Sequence, residues 1–289
     1  MKSILLPLAA NMGDHAAIHM AAHLATCFGA AINGLYIRPD PVGSIAFMGE
    51  GLTADMMQDL CDATTNEGLA QAARCQDIFN EIMAKSSVGT DKSSIPIAET
   101  NGACARWQIA VGDITCHVGR KARTADVAIC PQPAAEYPDL NDILQGLIYR
   151  SGRPVFMIPS GTKLLPAKPS IVLAWNGSAE CARAIGAALP FLHIAEAITL
   201  LQVGNIKDER PTLDDAAQYL GDHGLEATTL QIEPSGQGVG ADILSHKTVR
   251  AAQMIVAGAF SHSRWREMIL GGVTSHLVEH SDKPLFMNH

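Results

Sequence analysis

The chain carries the same two phrases twice. Ser281-Asp282-Lys283-Pro284-Leu285-Phe286-Met287 repeats Ser151-Gly152-Arg153-Pro154-Val155-Phe156-Met157 nearly residue for residue, and Arg250-Ala251-Ala252-Gln253-Met254-Ile255-Val256 parallels Arg123-Thr124-Ala125-Asp126-Val127-Ala128-Ile129. Two matches in the same order mark an internal duplication, and missing it would misread the whole fold. A length of 289 residues accommodates two units of ordinary domain size. The repeat places them at 1–159 and 170–289, joined by a linker across 159–170.

Within each unit, short apolar runs alternate with helical stretches. In the first, residues 4–8, 31–37, 106–111, 126–130 and 154–158 read as strands, and 15–28, 59–85 and 113–122 as helices. An irregular Gly- and Pro-containing insertion covers 39–57, a polar run covers 86–94, and 95–100 reads as a short irregular or edge piece. In the second, 171–175, 197–203, 226–232 and 254–257 read as strands, with helices at 179–189, 214–223, 241–251 and 273–280. Asn176-Gly177-Ser178 is a turn able to cap the first of those helices. Strands alternating with helices predict two α/β units with mainly parallel sheets.

Composition narrows the function. With 47% hydrophobic and 17% charged residues the chain can bury two cores. A net charge of −8 argues against nucleic acid and anionic membrane surfaces as partners. No stretch reaches the length that spans a bilayer, and the apolar run at 4–8 is brief and holds Pro7, so it reads as a buried strand rather than a secretory signal. The seven cysteines are odd in number and scattered, which fits reduced thiols and a cytoplasmic location.

Chemistry concentrates after the strand at 254–257. Gly258 breaks it, a loop with Ser261, His262 and Arg264 follows, and Gly271-Gly272 opens the helix at 273–280. Glycine lets backbone approach a ligand closely, and the first amides of a helix have no intrahelical partners, so such a connection can cradle phosphate. The spacing of Gly258, Ser261, Gly271 and Gly272 resembles the Gly-x2-Gly-x9-Gly-(Ser/Thr) loop of the universal stress proteins, two positions matching and two departing. The stretch from Val273 to Met287 is similar to that family's closing helix and fifth strand.

The resemblance implies a fold of two tandem five-stranded parallel-sheet units of the adenine nucleotide alpha hydrolase-like type, packed as an intrachain pseudo-dimer. In that arrangement the stretches at 154–158 and 284–287 meet and cover each other's edges. It also implies an adenine nucleotide, ATP or a relative, with Mg2+ as its possible companion. By resemblance, Ala174 and Val203 line the adenine pocket, and Asn176 stands where the family usually has an aspartate contacting adenine and ribose. Gly258 stands at the first loop glycine, and Gly271, Gly272 and Val273 supply amides facing phosphate. Ser261 stands where the family has glycine, and Gly272 where it has a hydroxyl residue.

The first unit offers no such loop. Its fourth strand runs into Pro131-Gln132-Pro133-Ala134-Ala135-Glu136-Tyr137-Pro138-Asp139, whose three prolines lack amide donors and whose two acids would repel phosphate. Its ligand site is expected to be degenerate. Near the second unit's loop only Glu267 and Asp282 are carboxylates, in no metal motif, so binding without efficient turnover is expected, weak ATPase activity remaining open. His15, His19 and His23, at i, i+4 and i+8, could in pairs grip a metal but read more simply as surface histidines, as do His276 and His280. Ser261, Ser263 and His262 lack a Gly-x-Ser-x-Gly context. Three function classes follow: a stress-associated nucleotide binder, a nucleotide-free scaffold or chaperone-like module with unknown protein partners, and an enzyme acting on a small anion. Further association into a homodimer is open.

Overall fold

A computed structural model of the chain describes residues 1–10, 14–41, 53–90, 102–206, 209–259 and 272–289. The expected edge piece at 95–100 and most of the insertion at 39–57 lie outside them. The chain divides into two compact units, Met1–Cys130 with Ala134–Ser151, and Pro131–Pro133 with Gly152–His289.

The first unit is a parallel sheet with helices on its faces. Its strands are β1 (Ser3–Leu8), β2 (Ala31–Arg38), a two-residue edge strand β3 (Gly89–Thr90), β4 (Cys104–Val111) and β5 (Val127–Pro131), in the order β3-β4-β2-β1-β5. β1 is buried over five successive residues, as a central strand covered on both faces must be. Helix α1 (Ala16–Phe28) is built from alanines and leucine and stops at Gly29, whose left-handed backbone (φ 57°) lets its N–H reach Ala25 O. Helix α2 (Ala54–Lys85) buries Gly68, Ala72, Cys75, Phe79, Ile82 and Met83, a stripe at helical spacing, and Thr53 caps its start. Phe79 meets Trp107 of β4 with ring centroids 5.4 Å apart. Helix α3 (Ile114–Ala122), capped by Asp113, lies against α4 (Pro138–Arg150).

Helix α4 is absent from the sequence reading, where Pro131, Pro133, Pro138 and the acids dominate. Proline at its first position costs nothing, because that amide has no helical acceptor. Leu140, Ile143, Leu144, Leu147 and Ile148 form its buried face. The two helices approach closely: a Cβ on Gly146 would stand 2.6 Å from Thr115 O, and one on Gly119 would overlap Arg150 Cβ.

The second unit has the strands β6 (Val155–Ile158), β7 (Ser170–Ala174), β8 (Ala197–Val203), β9 (Thr228–Ile232), β10 (Met254–Gly258) and β11 (Leu285–Asn288), ordered β6-β11-β10-β7-β8-β9. All neighbours are parallel except β6 on β11, where Phe156 faces Phe286 in an antiparallel register. Phe156, Phe286 and Phe191 of helix α5 (Ala179–Leu192) form one aromatic cluster with centroids 5.5 to 5.9 Å apart. Helix α5 runs past Pro190, three residues beyond its expected end. Helix α6 (Leu213–Asp222) begins with a capping box between Thr212 and Asp215. The expected helix at 241–251 divides at His246 (ψ 136°) into α7 (Val239–Ser245) and α8 (Lys247–Ala251). Helix α9 (Gly272–His280) precedes β11.

Candidate functional site

β7 has β8 on one side and β10 on the other, so the winding direction reverses between β7 and β10. Loops leaving the carboxyl ends of two such strands diverge and open a crevice, the general ligand position in this class of sheet. Ala174, at the end of β7, pairs with Ala257, and the chain then enters the turn at 176–178 on one side and Gly258 on the other. Because β10 and β11 run the same way, the helix between them must start at this same edge, with Gly272 and Val273.

The turn is held from several directions. Asn176 Oδ1 accepts the N–H of Ser178 at 3.0 Å and the thiol of Cys181 at 3.1 Å, and Ser178 Oγ accepts the N–H of Cys181 at 3.3 Å. Arg210 donates to Asn176 O at 3.1 Å, and Trp175 Nε1 donates to Pro211 O at 3.2 Å. Gly177 has φ 67°, and a Cβ there would lie 2.7 Å from Arg210 Cβ, so both backbone and space require glycine. Sequence reading places a cap here but not the thiol, since a contact from residue 176 to 181 follows no capping pattern.

Gly258 has a structural explanation of its own. A Cβ on it would stand 2.6 Å from the backbone nitrogen of Cys181 and 2.9 Å from Glu180, so the space that glycine vacates is filled by the first turn of α5. Gly272 differs: a Cβ there meets nothing within 4 Å among the described residues, and both it and Val273 are exposed. Ala174 and Val203 are half-buried, and Asn176 is exposed. The structure therefore brings Ala174, Asn176, Val203, Gly258, Gly272 and Val273 to the carboxyl edge of the sheet, while Ser261 and Gly271, with His262, Arg264 and Glu267, lie outside the described residues.

The residues fit an adenine nucleotide in part. The amide nitrogen of Asn176 can donate, its oxygen being taken, and at the start of α9 no described atom lies within 4 Å of a Cβ on Gly272. Although partial burial opposes it, bonds from its own backbone N–H, Arg183 and Ser178 hold the Glu180 carboxyl below the usual range. Asp282 is exposed and 3.8 Å from Lys283. Beside β8, a polar cavity of about 450 Å³ is lined by Gln202, Thr212, Asp214 and Gln231. It lies on the face of β8 opposite Val203, since successive strand residues point to opposite sides.

In the first unit the corresponding edge is closed by α2. The Cys75 thiol reaches Ala9 O at 3.6 Å, Tyr36 donates to Gln71 at 3.0 Å, and Gly68 sits against Arg38. Among the described residues a cavity of about 80 Å³ there is bordered by Leu8, His15, Arg74 and Cys75, below the several hundred Å³ of a ligand pocket. Burial pushes the Tyr36 phenol up to about 12. The expected proline segment is used in packing: Gln132 N–H donates to Ile158 O at 2.9 Å, and its side chain donates to Val278 O at 2.6 Å.

His15 occupies the position before α1, and the rings of His276 and His280 stack on each other with centroids 4.3 Å apart. No group of three or more potential metal ligands occurs among the described residues. Among those residues too, no helix is long and apolar enough to cross a membrane.

Comparison with known proteins places this geometry. Residues 171–288 match the model of the universal stress protein family. The fold is similar to a solved universal stress protein from Archaeoglobus fulgidus DSM 4304, with 13% identity, TM-score 0.69, and 98% of this chain and 97% of that one covered. It is also similar to a putative universal stress protein from Pseudomonas aeruginosa UCBPP-PA14, with 13% identity, TM-score 0.54, and 99% and 92% covered. No curated protein matches the sequence.

Proposed function

Since residues 171–288 match the model of the universal stress protein family, we propose that this second unit binds an adenine nucleotide at the carboxyl edge of β7 and β10 and holds it without efficient turnover. The supporting observation is the meeting of Asn176, Gly258 and the open start of α9 where the strand order reverses. Ala174 and Val203 flank the base, the Asn176 amide donates to it, and the first amides of α9 receive phosphate oxygens. A bound Mg2+ would screen the phosphates. Turnover needs a carboxylate free to orient water, whereas Glu180 is bonded to Arg183 at 2.8 Å. The free cysteines agree with a cytoplasmic setting.

A nucleotide-free scaffold is the second reading. It is favoured by the commitment of Asn176 Oδ1 to the turn and by the packing reason for Gly258. Mass spectrometry of small molecules released from protein purified without added nucleotide separates the two. Recovered ATP, ADP or AMP supports the first; an empty protein that also gives no calorimetric signal at millimolar ATP establishes the second. Gly272→Leu fills the approach to α9 without meeting packed atoms, so it should abolish binding and leave the melting temperature unchanged.

A further inference from the structure

The first unit gathers positive charge around one concavity. Cys116, His117 and Arg120 of α3, Arg123 just beyond it, and Arg150 at the end of α4 line one cavity of about 230 Å³. We propose that Arg120, Arg123, Arg150 and His117 form a receptor for a small phosphate-bearing ligand, a site independent of the nucleotide crevice of the second unit.

The nearby acids are already committed. Asp113 accepts the Cys116 N–H at 2.6 Å to cap α3, and Asp126 accepts from the backbone of Lys2 and Ser3. Among the described residues, Arg120 and Arg150 have no carboxylate at ion-pair distance. Their bonds go to neutral groups. Arg120 donates to His117 Nδ1 at 3.0 Å, which leaves the ring proton on Nε2, and Arg150 donates to the Cys116 sulfur at 3.3 Å. The bond with Asp113 pushes the Cys116 thiol above its ordinary value, and the charges of Arg150 and His117 also act on the Asp113 carboxyl.

The arrangement is also braced. Arg150 lies directly over Gly119, where any larger residue would push it away, and Arg123 Nε donates to Arg150 O at 3.1 Å. Cations at the ends of α3 and α4 would be explained by the helix dipoles alone if they stayed there. Arg150 does not: its guanidinium reaches back to Cys116 in the first turn of α3. Guanidinium forks converging on one concavity match the oxygens of a phosphate, and the cavity is wide enough for a short substituent on it. In a chain of net charge −8, a concave cluster of this kind selects an anion by local rather than overall charge.

The test titrates the full chain with inorganic phosphate at constant ionic strength, following backbone amide shifts by NMR. Saturable shifts confined to residues 114–123 and 147–151 are expected, with Kd of about 1 mM or tighter. Arg120→Gln and Arg150→Gln should each weaken binding about tenfold, while Lys163→Gln, in the linker, changes nothing. Arg120 is exposed, so its variant keeps the wild-type melting temperature and separates lost binding from lost folding. Glycerol phosphate should bind at least as well as phosphate; its exclusion would overturn the phosphorylated ligand. Shifts that rise linearly, that an equal ionic strength of chloride reproduces, or that survive Arg120→Gln would overturn the site itself.

Discussion

Replacing Gly258 and Gly272 separately should split stability from binding, although both belong to one glycine pattern. An alanine Cβ at 258 would stand 2.6 Å from Cys181 N and 2.9 Å from the carbonyl carbon of Glu180. Both neighbours are backbone atoms of a capped first turn, so relief requires α5 to move away from β10. Overpacking of that kind costs about 1–3 kcal/mol, which for a unit of this size lowers its melting temperature by roughly 3–12 °C. At 272 an alanine Cβ meets nothing within 4 Å. It should leave the melting temperature unchanged or raise it slightly, since alanine favours helix over glycine by up to about 1 kcal/mol. Differential scanning calorimetry on both variants, with ATP titrations of each, provides the assay. A Gly258→Ala protein that melts within about 1 °C of wild type would show that α5 does not fill that space, and the packing account of Gly258 would fall.

Asn176→Asp keeps the acceptor for Ser178 and Cys181 but removes the amide group that donates to the base. ATP affinity should fall about five- to tenfold by calorimetry; an unchanged Kd removes residue 176 from the base contact. Thr212→Ala breaks the capping box of α6 and should cost about 1 kcal/mol in urea denaturation. Hydrogen bonds from Cys116 to Asp113 and from Thr212 to Asp215 hold both carboxyls below their ordinary values. Their contribution is present above the unfolded pKa and is lost as pH falls through the folded one. Melting temperature should therefore decline below about pH 4, and Asp113→Asn should flatten that decline. Finally, a fragment of residues 170–289 lacks β6 and so the buried Val155, Phe156, Met157 and Ile158. Each contributes about 1.5–3 kcal/mol. In light scattering the fragment should self-associate or unfold, whereas 152–289 stays monomeric; equal behaviour would refute the role given to β6.

The sequence makes the strands legible because each is a short apolar run closed by a turn residue, and the repeated phrase fixes their order. β1 and β7 show this directly, each opening on a serine and apolar from there to its end. Helix α4 escapes because three prolines and two acids precede or open it, although its leucines and isoleucines fall at helical spacing. The division at His246 is equally hidden, since only the backbone torsion of one residue separates α7 from α8. At the site, the turn at 176–178 is legible from local grammar. The Cys181 thiol on Asn176 and the backbone beneath Gly258 are not, because both depend on how α5 is set against β7 and β10. The basic cavity is hidden for the same reason: Arg150 reaches Cys116 only because Gly119 and Gly146 let two helices approach.

Strand β6 connects the duplication to the fold. Its residues come from the first repeat, yet they cluster with the second unit, pairing antiparallel with β11. A parallel sheet ending at β11 would present a row of unpaired backbone groups and the Phe286 face to solvent, a site for association with another chain. Supplying the partner strand from the preceding repeat satisfies that edge within one chain, and Phe156 and Phe191 complete the cover over Phe286. The first repeat is thereby kept for its closing strand whether or not it binds anything. At the first repeat's own carboxyl edge α2 lies over the end of β1, with the Cys75 thiol on Ala9 O.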